Sequence, residues 1–570
     1  MSAPASAVAE LLRRGAELPR LRRPSAWGLA GLACAAIIAT PIATVLFALL
    51  LPGSDTWRHL VETVLADYVI NSLLLMLGVS LGAGSIGVTC AWLTSMYRFP
   101  GRQLFSWALL LPLAMPAYII AYTYTGMFEV AGPVQGWIRD TFAVAYGEYW
   151  FPNVRSLGGA VMMFSLVLYP YVYLLARAAF LEQSVCALEA SRTLGCSPWR
   201  SFYAVALPLA RPAIVTGLSL ALMETLADYG TVAYFGVSTF TTGIFRTWFG
   251  LYDATAAAQL SAMLLCFVFA LLALERWSRR QQRYHHSSNR YQALPQLRLR
   301  PLAAGIASLA CALPLFFGFA LPAGQLGLWA IETWGEMVDA EFVELALHSF
   351  ALAGGAALLA LIPALLLGYG VRVDGSATMR FLARFSGMGY AIPGTVIAVG
   401  VMIPFGKLDN SIDAWARETF DFSTGLLFSG TVFALLFAYV VRFLTVSLNT
   451  VEAGLGRIRP SMDEAARSMG YGGVEVVRRV HLPIIRGSLL TALIIVFVDV
   501  LKELPATLVL RPFNFNTLAV RAWELAADER LADSSSAALA IVLVGIVPVI
   551  LLSLTIARSR PGHARKPQPQ

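Results

Sequence analysis

Charged residues are scarce in this chain of 570 residues. They make up 13% of it, whereas a soluble chain would carry about 25%. Hydrophobic residues make up 58%, and the mean hydropathy is +0.67. The hydrophobic residues fall in blocks of roughly 20 to 28, which is long enough to cross a bilayer. This composition excludes an ordinary soluble enzyme and predicts an all-α polytopic membrane protein.

Sites for disulfides, structural metals and phosphates are also missing. The six cysteines lie in apolar blocks or in one polar loop, with spacings that fit neither a disulfide framework nor a zinc site. The Gly406-Lys407 pair has no glycine-rich loop before it, so the chain lacks a phosphate-binding loop. No nucleophile and base stand at a catalytic spacing. We therefore predict that the chain is not an enzyme and binds no cofactor.

Twelve apolar blocks predict about twelve transmembrane helices. The block that follows the N-terminal arginines is too long for a signal-peptide core and shows no clear cleavage site, so we predict an uncleaved first span. The predicted spans lie near residues 27–51, 69–96, 104–127, 157–181, 213–236, 256–274, 302–324, 346–371, 381–405, 425–448, 488–510 and 536–557.

The net charge of +8 comes from arginines that gather in alternate loops. This distribution does not form a patch for nucleic acid, and it predicts a lipid bilayer as the partner. By the positive-inside rule the arginine-rich loops are cytoplasmic, together with both termini.

One short polar sequence occurs twice in the same register. Every member of the second copy follows its counterpart by 275 residues. The first copy contains Glu189, Ala190, Gly195 and Pro208, and the second contains Glu464, Ala465, Gly470 and Pro483. Both copies are basic loops between apolar blocks, so the chain presents two equivalent loops on one face. A transport channel needs such a pair if two identical motor subunits are to grip it.

Each of these loops is predicted to hold two short helices. In the second copy Ser461 and Glu464 have the spacing of a capping box, which predicts a helix that Gly470 ends. In the first copy Ser197 and Pro198 are typical of the cap and first residue of a new helix.

The chain divides into two repeats. We predict a first six-span repeat over 1–280 with its core at 69–274, a basic linker over 281–300, and a second repeat over 301–570 with its core at 346–557. Outside the loops, Pro116 matches Pro393 at a step of 277. The repeats are parallel, as if related by an axis along the membrane normal.

The two loops resemble the Glu-Ala-Ala loops of the membrane subunits of binding-protein-dependent ABC importers. The resemblance implies the type I importer permease fold and a location in the bacterial inner membrane. It also implies two cytoplasmic ATPase subunits, which carry ATP and Mg and receive a coupling helix from each loop, and a periplasmic substrate-binding protein. Ser191 departs from the motif, and Gly487 stands where the first copy has Pro212. These departures predict that the two halves engage the ATPase unequally.

Acidic residues lie inside two of the predicted spans. Glu224 and Asp228 fall on Asp499 and Glu503 at the same step of 275. Each pair is spaced i, i+4, which predicts one helix face per pair. Ionisable groups at mid-membrane are functional candidates, so we predict that these four acids line the translocation pathway and contact a metal transiently. Hydrogen bonding between helices is the alternative.

The segments around these acids resemble the fused permeases of ferric-iron importers. They are Met223–Gly230 with Val237–Phe245, and Asp499–Pro505 with Arg511–Thr517. The resemblance covers roughly 69–274 and 346–557, and hard carboxylate oxygens suit iron(III). Permeases for thiamine, polyamines or phosphonates remain alternatives. So does an ion-coupled secondary transporter, although such a carrier needs no motor-docking loops.

The external loop 129–153 is rich in aromatic residues. They are typical of a membrane-interface belt, and they would equally serve as the docking surface of the binding protein.

Overall fold

The computed structural model describes residues 26–182, 195, 197–280 and 297–558. Within these ranges the chain is helical almost throughout. The strands β1 (Tyr97–Arg98) and β2 (Leu297–Arg298) pair in parallel and join the start of the second half to the first. The predicted all-α fold is confirmed.

The helices of the first half carry the labels α1 to α12. They are α1 (Ala26–Ala48), α2 (Asp55–Thr63), α3 (Leu65–Met96), α4 (Arg102–Ala108), α5 (Ala117–Phe128), α6 (Pro133–Phe142), α7 (Leu157–Glu182), α8 (Pro198–Ser201), α9 (Leu207–Ala227), α10 (Gly230–Tyr234), α11 (Phe240–Phe245) and α12 (Ala254–Arg280). A 3-10 turn covers Leu111–Ala114, and π-helical turns cover Phe202–Ala206 and Arg246–Gly250.

The second half follows the same plan with the labels α13 to α25. They are α13 (Pro301–Leu315), α14 (Leu321–Glu332), α15 (Trp334–Met337), α16 (Ala340–Asp374), α17 (Ala377–Ser386), α18 (Gly394–Phe420), α19 (Val432–Leu455), α20 (Pro460–Ser468), α21 (Gly473–Val476), α22 (Leu482–Leu501), α23 (Pro505–Leu510), α24 (Leu518–Ala527) and α25 (Ser535–Arg558). A 3-10 turn covers Gly389–Ala391, and π-helical turns cover Phe316–Ala320 and Val477–His481.

The membrane-crossing helices agree closely with the predicted spans. In the part of the chain that the structure describes, ten helices are long and apolar enough to cross a membrane. The pair Arg102–Ala114 and Ala117–Phe142, bent by 90°, adds an eleventh. The shorter apolar segment Ser535–Leu551 begins α25 at the position of the predicted twelfth span.

Four of the predicted spans are broken, which corrects the expectation of continuous helices there. Inside the spans predicted at 213–236 and 488–510 the helices end at Ala227 and Leu501. The spans predicted at 104–127 and 381–405 are each interrupted at a proline. Pro116 and Pro393 each stand immediately before a helix, α5 and α18. Proline lacks an amide hydrogen and forces the preceding residue into an extended conformation. Met115 and Ile392 accordingly have ψ angles of 110° and 128°. A helix must therefore end before each proline and begin again after it.

The two halves exchange their outermost helices. One core, here called the first core, contains the middle helices of the first half together with α13, α14 and α25 of the second. Cys311, Leu326 and Ile541 are buried there. The second core contains the middle helices of the second half together with α1 and α12 of the first, with Val45 and Leu264 fully buried.

Because of this exchange, neither half of the sequence is a packing unit by itself. The boundaries at 280 and 301 therefore remain predictions of where the repeats end. Much of the predicted linker, at 281–296, lies outside the described residues.

The contact between α1 and α18 provides a test of this exchange. Any side chain at Gly400 would overlap the main chain of Pro41. We expect Gly400→Ala to destabilise the protein by about 1–3 kcal/mol, as overpacking does, and to lower its melting temperature in detergent.

Gly406 is the matched control because it lies in the same helix with no atom near its missing side chain. Gly406→Ala should be neutral or stabilising by about 0.5–1 kcal/mol. Equal effects of the two substitutions would contradict the exchanged packing.

Candidate functional site

Four interruptions of the helices meet around one central cavity of about 110 Å³. Two of them are the starts of α5 and α18, and the other two are the ends of α9 and α22. All four predicted acids line this cavity, Glu224, Asp228, Asp499 and Glu503, and two cations, Arg442 and Lys502, line it with them. The structure thus brings together acids that are 275 residues apart in the chain.

Asp228 lies beyond the end of α9, so the prediction of one helix face for Glu224 and Asp228 was wrong. The helix ends at Ala227, and Asp228 has an extended backbone. Its carboxylate accepts hydrogen bonds from the Thr231 amide at 2.9 Å, from the Thr231 hydroxyl at 3.1 Å and from the Val232 amide at 3.3 Å. The side chain competes with the backbone for these donors and starts α10 instead of continuing α9.

Glu503 has the matching position after α22, so its predicted helix face with Asp499 was wrong for the same reason. The helix ends at Leu501. The Glu503 carboxylate accepts from the Ala506 amide at 3.2 Å, at the start of α23. Both acids therefore lie at the positive end of a short helix, which favours negative charge.

Two ion pairs neutralise the acids of the second half. Arg442 Nη1 lies 3.3 Å from Glu503 Oε1, and both side chains are less than 10% exposed. Lys502 Nζ lies 2.9 Å from Asp499 Oδ1. Arg442 is not among the residues predicted from the sequence. An arginine in the middle of the apolar segment 432–455 was the available signal.

The acids of the first half have no such cations. Asp228 is held by neutral donors, and within the described ranges no hydrogen bond or close ion pair engages Glu224. Position 227, which matches Lys502, is an alanine. The cavity thus contains four carboxylates and two cations, and the surplus negative charge lies on the wall from the first half.

Phenol groups complete the wall. Tyr118, Tyr171 and Tyr390 line the cavity. Tyr118 and its neighbour Tyr122 are almost fully buried, and their hydroxyl groups have no hydrogen-bond partner. Among the described residues no three histidine, cysteine or carboxylate side chains are grouped closely enough to hold a metal ion. The four acids therefore do not form a preassembled ligand set in the described part of the chain.

The second polar loop has the two predicted helices, α20 and α21. Gly470 ends α20 with a φ of 86°. The Tyr471 amide donates to the Ala466 carbonyl, and the Gly470 amide donates to the Arg467 carbonyl. This is a Schellman motif, so the predicted role of Gly470 is confirmed. The predicted capping box is wrong, because α20 begins at Pro460 and its cap makes no side-chain hydrogen bond.

The outer face of this loop is exposed. Glu464 and Ala465 face solvent, as does Pro483 at the start of α22. The apolar side chains of Met469 and Val474 are 67% and 72% exposed.

Asp463 fastens α20 to the membrane helices. Its carboxylate accepts from Arg372 Nε at 2.9 Å and lies 2.7 Å from His481 Nε2. Arg372 also donates to the Leu455 and Ile458 carbonyls. Burial raises the pKa of Asp463, but the hydrogen bonds from Arg372 and His481 outweigh it and lower the pKa below its usual value. The anchor is therefore ionised at neutral pH and weakens only as the pH falls through that lowered pKa.

The first polar loop is described in part. Glu189 and Ala190 lie outside the described residues. Gly195 has a φ of 82°, which matches Gly470. Ser197 Oγ accepts from the Arg200 amide at 3.3 Å, so the predicted start of a helix at Pro198 is confirmed. Pro208 lies in the first turn of α9.

The external loop 129–153 contains α6 and covers a second cavity of about 540 Å³. Its aromatic side chains are exposed, Trp150 by 85% and Tyr146 by 71%. The loops after α10 and α23 are different, since they contain α11 and α24, whose side chains are mostly buried.

This fold, with broken helices around a charged cavity and two polar loops, defines a permease of type I importers. The family model described as "Binding-protein-dependent transport system inner membrane component" matches the chain twice, at residues 83–283 and 356–561. The chain belongs to this family. It is a fused, multi-pass inner-membrane permease subunit, as the sequence predicted, and a transport component instead of an enzyme.

Three permeases with similar sequences differ in how much of this chain they match. The Fe(3+)-transport system permease protein FbpB 2 of Haemophilus influenzae is 28% identical over 502 residues, which cover 86% of this chain and 90% of that protein. The sulfate transport system permease protein CysT of Escherichia coli is 32% identical over 30% of this chain and 58% of its own length. The molybdenum transport system permease protein ModB of Escherichia coli is 28% identical over 30% of this chain and 71% of its own length.

If Arg442 and Glu503 form an ion pair, removing both charges should restore the folded protein that is lost when only Arg442 is removed. Arg442→Met leaves a buried carboxylate without its partner, which costs about 3–5 kcal/mol. We expect the amount of folded protein in the membrane to fall. The double variant Arg442→Met, Glu503→Gln should recover most of it. A double variant that accumulates no better than the single one would contradict the pairing.

Proposed function

We propose that this permease moves iron(III) from a periplasmic binding protein to the cytoplasm, driven by two ATPase subunits that hydrolyse ATP with Mg. The observation that carries this proposal is the charge of the central cavity. Glu224 and Asp228 lack cationic partners, whereas both cations are already paired with Asp499 and Glu503. Among the described residues no cation lies within ion-pair distance of Glu224 or Asp228, so a cation entering the cavity would meet uncompensated negative charge, and an oxyanion would have to break an ion pair first.

The chemistry of the wall also favours a hard cation. Carboxylate and phenol oxygens are the ligands that such ions prefer. The absence of a grouped metal site among the described residues fits a path that an ion leaves as easily as it enters. We therefore propose that the four acids contact the ion in turn.

The size of the cavity disfavours the organic solutes considered from the sequence. Pockets for small organic ligands usually measure about 300–1,000 Å³, whereas this cavity measures about 110 Å³. It has room for an ion with a few waters. The long match to an iron(III) permease supports the same choice, while the sulfate and molybdenum relatives match about a third of the chain.

The two polar loops supply the coupling surfaces in this proposal. Glu464, Ala465, Gly470 and Pro483 would meet one ATPase subunit, and Glu189, Ala190, Gly195 and Pro208 the other. The Asp463 anchor has no charged counterpart in the first half, where position 188 is a leucine. This supports unequal engagement of the two ATPase subunits.

The external loop 129–153 is the proposed docking surface of the binding protein. Both termini would then be cytoplasmic, on the side of the polar loops. The arginine distribution supports this orientation, although the terminal residues themselves lie outside the described ranges.

Uptake of radioactive iron(III) citrate, sulfate and molybdate by membranes that hold the complete transporter tests the substrate. We expect uptake of iron alone. Glu224→Gln and Asp228→Asn should each lower it about tenfold or more, at unchanged abundance, since each removes a negative charge that no close cation of the described ranges pairs. Uptake of sulfate or molybdate in place of iron would overturn the proposal. Normal iron uptake by both variants would remove the acids from the path.

The glycine that ends α20 tests the coupling surface. Gly470→Ala places a side chain at a positive φ, which costs about 1–2 kcal/mol. This would shift the loop away from its docking shape and lower iron uptake roughly 5- to 30-fold, with less ATPase subunit co-purified.

Gly472 is the control for this substitution. It lies two residues further on, equally free of neighbouring atoms, but its φ is −70°. Gly472→Ala should leave uptake near normal. Full uptake by Gly470→Ala would contradict the coupling role.

A further inference from the structure

Arg155 lies where three parts of the molecule meet on the external side of the cavity. Its Nη2 atom donates to Glu129 Oε1 at 2.6 Å and to the Tyr234 hydroxyl at 3.2 Å. Its guanidinium carbon lies 4.8 Å from the centre of the Tyr234 ring. Its Nη1 atom lies 3.5 Å from Glu529 Oε1, which belongs to the second half.

A line of aromatic rings joins Arg155 to the cavity. Tyr234 packs edge-on against Tyr122, with 4.6 Å between the ring centres. Tyr122 in turn packs against Tyr118 at 5.7 Å, and Tyr118 lines the cavity. At the corresponding positions of the second half stand Thr395, Val399 and Val509, so this line of rings belongs to the first half alone.

Two helices, α5 and α7, also connect the surroundings of Arg155 to the cavity. Glu129 ends α5, whose first residue, Ala117, lines the cavity. Arg155 comes just before α7, which passes the cavity at Tyr171 and ends at the first polar loop. One guanidinium therefore contacts the outer ends of elements that run to the cavity and toward the cytoplasmic side.

The backbone of Glu529 has a conformation that is unfavourable for a residue other than glycine. It occupies the left-handed position after α24, with a φ of 60°. The Glu529 amide donates to the Ala526 carbonyl and the Arg530 amide to the Leu525 carbonyl, the Schellman pattern in which glycine is usual. A glutamate here gives up backbone stability and presents its carboxylate to Arg155. Such strain is expected where a residue serves function.

From this geometry we infer that Arg155 is a positioning residue of the transport cycle, which clamps the two halves together on the external side of the cavity. The halves must part there for an ion to enter from a binding protein. Docking on the loop 129–153, which contains Glu129 and ends near Arg155, would act on this clamp. The contact between the halves through Arg155 and Glu529 is independent of the proposed function, whereas the external location of the clamp and its link to docking rest on it.

Cysteine labelling tests the clamp. In a chain whose six native cysteines are replaced by serine, Ala117→Cys places a thiol on the cavity wall. A membrane-impermeant maleimide added from outside then reports how often the external side opens. Adding Arg155→Gln should speed labelling about two- to fivefold, because the Glu529 side chain is 74% exposed and an exposed ion pair contributes little. Arg155→Lys keeps the charge without the planar fork, and its labelling rate should lie between the two.

Glu529→Gly shows whether faster labelling comes from loss of the clamp or from poor folding of the variant. Glycine suits the positive φ, so the variant should fold at least as well as the parent and still label faster. Arg58→Gln is the control, since Arg58 makes an exposed pair with Asp55 away from the clamp. Its labelling rate should stay unchanged.

Labelling that stays slow in both Arg155→Gln and Glu529→Gly would overturn the clamp, as would an equal increase in Arg58→Gln. The measurement needs neither iron nor partner proteins. If Arg155→Gln and Glu529→Gly label faster than the parent while the parent takes up no iron, the proposed function is overturned and the clamp is supported.

Discussion

Ionisable side chains in the middle of an apolar bundle are the constraint on which this structure depends. Each such charge costs roughly 2.5–3.5 kcal/mol on insertion scales. The structure offsets this with the ion pairs of Arg442 with Glu503 and of Lys502 with Asp499, and with the helix start that Asp228 caps. Two of these remedies, the Arg442–Glu503 pair and the cap by Asp228, use an acid that lies just beyond the end of a helix. The interruptions of the helices and the charges are therefore one arrangement.

Glu503 shows how closely these features depend on one another. It caps α23, pairs with Arg442 and lies against Gly394, where any side chain would overlap both charged groups. Gly394 is also the first residue after Pro393, at the start of α18. The cap of α23, the ion pair with Arg442 and the break before α18 therefore lie at the same place in the structure. A continuous helix would have left these backbone donors inside its own ladder and unavailable to the acids.

The two halves are similar in plan and different in chemistry. The second half supplies both cations of the cavity and the Asp463 anchor, while the first supplies the unpaired Glu224 and the aromatic line to Arg155. Fusion into one chain permits this divergence, because each half always meets the same partner. The exchanged outer helices keep the halves together, since each core is incomplete without helices from the other.

Local patterns in the sequence were enough to predict the all-α fold, the repeat, the helix ends at Gly470 and Pro198, and the set of four acids. Hydropathy, glycine conformation and residue spacing act within one segment, so they can be predicted from the sequence. The predictions were wrong where hydrogen-bonding or charged groups from different segments interact. Asp228 and Glu503 left their helices because amides of the next helix were nearer, and Arg442 acquired its role through a residue 61 positions away. The exchanged helices likewise depend on which apolar faces fit, as at Gly400 and Pro41, and shape complementarity between distant segments exists only once the chain has folded.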